Sequence, residues 1–129
     1  MEKELQEEFR TQFGKDLRKS AFREFANAAF DASKIAEVET LRENKSKELD
    51  GIRLELEGIE NNPENHKREL REKAKTLKAQ IALAEQFIKD CNITISTIQQ
   101  TVQTQQQKAA QYLERAAFTE KFVLEDHAN

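Results

Sequence analysis

The side chains best suited to chemistry are few: one cysteine and two histidines among 129 residues. Cys91 would need a base beside it to act as a nucleophile. Neither His66 nor His127 is near it in the sequence. Cys91 also occupies an apolar repeat, where it reads as a small buried hydrophobe. His66 and Glu69 stand one helical turn apart and resemble half a metal site, but no second histidine or cysteine accompanies them at ligand spacing. Carboxylate pairs such as Glu7/Glu8 and Glu37/Glu39 read as solvated faces. No phosphate-cradling loop or nucleophile motif occurs. The expectation is a protein that is not an enzyme, with no catalytic residue, no metal ligand and no cofactor.

The strongest charged cluster is Lys67–Lys78, with six basic and two acidic residues. One reading is a phosphate-backbone contact through Lys67, Arg68, Arg71, Lys75 and Lys78. No aromatic residue interleaves the cluster, and the whole chain has net charge −3. A basic helix face paired with an acidic arm is therefore expected, and nucleic acid is a lesser expectation. The two halves differ in sign, with net −4 over residues 1–62 and +1 over residues 63–129. Opposite signs favour pairing of the halves.

The elements that must position these residues are helices. Charged residues make up 35% and apolar residues 37%, with three glycines and one proline. That balance suits long exposed helices, since a sheet needs many more turn residues. One cysteine permits no internal disulfide and points to a reducing compartment, with the cytoplasm expected. The acidic start Met1–Leu5 lacks the apolar core of a signal peptide. No apolar run nears the roughly 18 residues of a membrane span, so no membrane association is expected.

The clearest pattern is a repeat of alternating four- and three-residue steps from Leu70 to Val123. It runs through Ala74, Leu77, Ile81, Ala84, Ile88, Cys91, Ile95, Ile98, Val102, Gln105, Ala109, Tyr112, Ala116 and Thr119. Of its sixteen positions fourteen are apolar, Gln105 and Thr119 being the exceptions. A 3.5-residue repeat of this length marks a helix lying along a partner helix. Residues 91–107 are uncharged and rich in Ile, Thr and Val, which favour strands, yet the helical step passes through them unbroken. Gln105 at a core position is a candidate determinant of register or oligomeric state, meeting a Gln or Thr across an interface.

Residues 2–30 read as an amphipathic helix on the four-residue spacing of Leu5, Phe9, Phe13 and Leu17, followed by Phe22, Phe25 and Ala29. Gly14 suggests a bend. Residues 34–60 continue the helix through Ile35, Val38, Leu41, Leu49, Ile52, Leu56 and Ile59, with Lys45 interrupting the stripe. Asn61–Asn65 is the one strong turn, with Asn62 as N-cap and Pro63 as first helical residue. The tail from Glu125 is expected to fray.

The expected fold is all-α: a long antiparallel helical hairpin or coiled coil, one domain over residues 1–129. Arm one spans about 2–60, the turn 61–65 and arm two about 66–124. Residue i would face residue 124 minus i. That pairing sets Glu48, Asp50, Glu55 and Glu57 against Lys67–Lys75, the alanine-rich residues 26–36 against 88–98, and Phe9 and Phe13 against Tyr112 and Phe118. Breaks near Gly14, Asp31 and residues 103–107 would give a shorter monomeric bundle instead. A single hairpin leaves many apolar side chains outside its seam, Leu83, Ile93 and Leu113 among them. The aromatic ones, Phe9, Phe13, Phe22, Phe25, Phe87, Phe118 and Phe122, are the candidate partner-binding residues. The expected function is a non-enzymatic assembly or adaptor protein that forms a homo-oligomer, a dimer first, closing into a four-helix bundle. The alternatives are a small helical inhibitor docking by its N-terminal arm, or an accessory factor of a nucleic-acid-processing complex.

Overall fold

The computed structural model describes the backbone of residues 2–128 and the side chains of residues 2–121. The expectation of fraying from Glu125 and the candidate Phe122 fall outside the described side chains. Two helices account for almost the whole chain: α1, Glu2–Glu60, and α2, Arg68–Ala128. They pack against each other as an all-α helical hairpin. Both are unbroken, so the breaks near Gly14, Asp31 and residues 103–107 do not occur.

The β-branched stretch of α2 stays helical because Ile95, Ile98 and Val102 keep the helical step and lie buried or half-buried in the seam. Thr94, Thr97 and Thr104 each donate to the carbonyl four residues back, at 2.8–3.0 Å, which satisfies their hydroxyls within the helix.

The connection differs from the expected cap. Asn62 Oδ1 accepts from Glu64 N at 2.9 Å, closing a tight turn rather than starting α2. Asn65 Nδ2 donates to Glu60 O at 3.0 Å and satisfies one orphan carbonyl at the end of α1. Arg71 N donates to Lys67 O at 3.0 Å, which opens the helical ladder of α2 at Lys67. The capping signature at Asn62–Pro63 therefore marks a separate turn, and α2 begins five residues after Pro63. No described residue has a positive φ.

Contacts group the chain into two compact units, residues 34–97 and residues 1–33 with 98–129. In the first unit, the buried side chains are Leu49 and Ile59 from α1 with Leu77, Ala84, Cys91 and Ile95 from α2. This is an aliphatic seam of ordinary coiled-coil type. Arg42 and Lys45 sit half-buried in phase with it, between Val38 and Leu49. Lys45 thus continues the four-three step instead of interrupting it. Its stem packs in the seam while Nζ reaches Glu48 at 3.0 Å and lies 5.0 Å from the centre of the Phe87 ring.

In the second unit the seam is built differently. Its buried members are Leu17, Ala21 and Ala28 from α1 and Ala109 and Ala116 from α2. Gly14 is buried in the same phase, and Glu7, Arg10, Glu24 and Asp31 fill the remaining positions as half-buried polar residues. The expected stripe of Leu5, Phe9, Phe13 and Leu17 is not the seam. Residues spaced by four advance about 40° around a helix at each step, so these four fan over roughly 120°. Only Leu17 ends on the partner helix; Leu5, Phe9 and Phe13 face outward.

On α2 every repeat position from Leu70 to Thr119 is buried or half-buried, and among residues 70–121 only Glu120 joins them. The register against α1 is shifted, however. In residues 34–97 the pairs are Glu55–Lys73, Arg53–Glu85 and Arg42–Asn92. In the other unit they are Arg18–Glu120 and Asp31–Gln105. The residue numbers of each pair add to between 128 and 138, not 124. The longer connection accounts for part of the shift, since it moves the midpoint between the helices from residue 62 to residue 64. Asp31, within the alanine-rich residues 26–36, accordingly meets Gln105 and not residues 88–98.

Gly51 and Gly58 are helical, and a methyl group at either meets nothing within 4 Å. Alanine there removes backbone freedom from the unfolded chain and improves helix propensity without a clash. Gly51→Ala and Gly58→Ala are each expected to stabilise the protein by about 0.5–1 kcal/mol, read from the denaturation midpoint followed by helical circular dichroism.

Candidate functional site

The candidate chemistry resolves as follows. Cys91 is a free thiol buried in the seam of residues 34–97. His66 lies exposed in the connection, and no group of three or more His, Cys, Asp or Glu gathers among the described residues. Among the described residues no helix is long and apolar enough to cross a membrane.

The basic cluster is partly neutralised. Lys67 pairs with Glu64 at 2.9 Å, Arg68 with Glu72 at 3.1 Å and Lys73 with Glu55 at 3.2 Å. Of these, Lys73–Glu55 alone crosses between the helices, so the expected match of an acidic arm to the whole basic group shrinks to one exposed pair. Exposed pairs contribute little stability. Arg71, Lys75 and Lys78 line a shallow depression of about 350 Å³ with Ile59, Glu60, Asn65 and Ala74.

What the fold presents most prominently is apolar surface. In unit 1–33/98–129 alanine, glycine and polar side chains take most of the α1 seam positions, and its phenylalanines lie outside the seam. Phe9, Phe22 and Phe118 are each more than 60% exposed, and Phe13 and Phe25 are nearly half exposed. The Phe9 and Phe13 rings lie 6.3 Å apart and near parallel, an offset stack on the surface of α1. Phe13 and Phe118 share an open concavity of about 260 Å³ with Arg10 and Thr119. The pairing of Phe13 with the region of Phe118 is therefore the sequence expectation that survives the register shift. In residues 34–97, Phe87 lines a separate depression of about 460 Å³ with Leu83, Ile52 and Lys45.

Three polar residues missed by sequence reasoning organise unit 1–33/98–129. Arg18 donates twice to Glu120, Nε to Oε1 at 2.8 Å and Nη2 to Oε2 at 2.7 Å. The bidentate guanidinium holds the Glu120 carboxyl below the usual carboxylate range, first through the hydrogen bond. The stability this adds is present above the ordinary carboxylate pKa. It is lost as pH falls through the lowered value, and solvent screening keeps it small. The third residue is Asp31. Gln105 Nε2 donates to Asp31 Oδ2 at 2.9 Å across the seam, while Gln105 Oε1 is buried without a partner. Within the chain, Gln105 thus pairs with an aspartate. The signal for both pairs was available. Extending the steps Leu49, Ile52, Leu56, Ile59 back toward the N-terminus reaches Asp31, and places Arg18 beside the seam.

No family model, curated protein or solved structure matches the chain.

Proposed function

We propose that this chain is a non-enzymatic helical assembly protein, which self-associates and holds a protein partner through the apolar outer faces of its hairpin. One observation carries this reading: the phenylalanines of residues 1–33 and 98–121 lie outside a seam whose fully buried members, Leu17 apart, are alanine and glycine. Aromatic groups of this size left in water cost free energy that burial against another protein recovers, and contiguous exposed apolar surface marks interaction sites. Two hairpins laid face to face form a four-helix bundle, which hides one such face on each copy. The single free thiol, buried at Cys91, fits a reducing compartment such as the cytoplasm.

Light scattering coupled to size exclusion tests the reading. The weight-average mass is expected to rise above the 15.0 kDa of one chain as the protein is concentrated. A mass fixed at one chain over the whole range, together with no capture of a partner, contradicts it.

A further inference from the structure

We propose that a second copy of the chain docks on one particular flank of unit 1–33/98–129, the flank of Phe22, Phe25 and Leu113. The two copies lie parallel about a two-fold axis running along the helices. The proposal rests on the self-association reading and adds the face and the arrangement.

The Arg18–Glu120 pair identifies the flank. Since these side chains meet, the face of α1 holding Arg18 and the face of α2 holding Glu120 are on the same side of the seam. Two helical turns further along α1 is Phe25. Two turns back along α2 is Leu113. The two stand as the next rung of the same ladder, which fits their reduced exposure, 43% and 39%, against 77% for Phe22. The rung after that is Ala32 and Gln106. Between rungs lie Phe22 and Ala29 on α1 and Ala117 and Ala110 on α2. From the Arg18–Glu120 rung to the Ala32–Gln106 rung this flank holds no charge. The opposite flank, with Phe9, Phe13 and Phe118, is interrupted by Asp16, Arg23, Lys108 and Arg115. The uncharged flank is therefore the one that closes against another protein without stranding an ion.

Charge complementarity selects the occupant and its direction. In the parallel two-fold arrangement α1 of each copy lies over α2 of the other at the same height. Phe22 then meets Ala117, a large side chain over a small one as in knobs-into-holes packing. Phe25 meets Leu113, and Ala29 meets Ala110. Each Arg18 sits between its own Glu120 and that of the second copy, so four charges close into an alternating ring. An antiparallel arrangement over the same flank puts Arg18 over Ala32 and leaves it without that second partner. The contact is isologous and closes at two copies.

Area sets the strength. Arg18 to Ala32 spans about 20 Å and the two helices together are about 20 Å wide. The footprint is roughly 400 Å² per copy, or about 800 Å² in all, below the roughly 1,200 Å² of a stable specific complex. The dimer is therefore concentration-dependent, dissociating on dilution to about micromolar chain or above.

Sedimentation equilibrium on the full chain tests this, with helical circular dichroism confirming that each variant is folded. Phe22→Glu/Leu113→Glu is expected to weaken self-association at least tenfold, whereas Phe9→Glu/Phe118→Glu leaves it near wild type. If instead the Phe9/Phe118 change abolishes the dimer and the Phe22/Leu113 change spares it, the flank is wrong but self-association stands. A wild type that stays monomeric at every concentration removes both. Direction is read separately by mixing Arg18→Glu with Glu120→Arg. The parallel ring predicts that the two variants associate with each other more tightly than either does with itself. No such preference overturns the parallel arrangement.

Discussion

Ala109→Leu and Ala116→Leu are each expected to destabilise the protein by about 1–3 kcal/mol, because both alanines have no accessible surface. They meet a stretch of α1 whose buried side chains are Leu17, Ala21 and Ala28, the two alanines at 1% and 3% exposure, with Gly14 in the same phase. A seam of alanine and glycine lets two helices approach closely, and three additional carbons on either one force them apart along their length. Leu17 is the one large apolar side chain buried on the facing side, so beyond its rotamer the backbone itself must move. Leucine at Ala82, which is exposed, is the control, and stays within about 0.5 kcal/mol of wild type. Chemical denaturation followed by helical circular dichroism measures all three. Equal midpoints for Ala116→Leu and Ala82→Leu would mean that the helices are not in close contact there.

The second large effect concerns the polar pair in the same seam. Gln105→Leu is expected to cost about 1–2 kcal/mol, because it leaves Asp31 half-buried without the donor it now has. The lower part of the usual range applies, since both side chains retain some water contact. Replacing both partners is expected to recover most of the loss: Asp31→Leu/Gln105→Leu buries only apolar groups and removes the orphaned Gln105 Oε1. The cycle of single and double variants should therefore be strongly non-additive. The two singles adding to the double would show that the residues do not interact. The double variant is also expected to hold its register less firmly, seen as broadened amide resonances near both sites, because one polar pair at a core position discriminates against slipped pairings.

How much of this was legible in the sequence differs between the helices. The repeat of α2 was readable position by position, because nearly all its seam residues are apolar and the helical step never falters. The seam of α1 was not readable over residues 7–31. There the positions that face α2 are Glu7, Arg10, Gly14, Glu24 and Asp31 as often as Leu17 or Ala21, while the phenylalanines on other faces supply the conspicuous hydrophobic signal. Hydrophobicity reports what prefers to leave water, and here much of it lies outside the intrachain seam. The connection misled for a related reason. Asn62 and Pro63 have the residue types of a helix start, but the same types close a tight turn, and only the bonds of Asn65 and Lys67 decide between them. That displacement carried part of the register shift with it. The outward set was legible as a set: Phe9, Phe13, Phe22, Phe25, Phe87 and Phe118 are all partly or largely exposed. Which of them share a flank needed the Arg18–Glu120 pair.

The central claim is that these outward rings are the assembly surface. Fluorine NMR of the chain with fluorophenylalanine at its eight phenylalanine positions tests it most directly, since each ring reports its own contact with water. In dilute protein the Phe22 resonance is expected to show a large solvent isotope shift between water and heavy water and the half-exposed Phe25 a smaller one, and both to lose much of it as the protein is concentrated, while Phe87 keeps its own. Phe22 and Phe25 resonances indifferent to concentration, or shielded from solvent even at high dilution, contradict the claim.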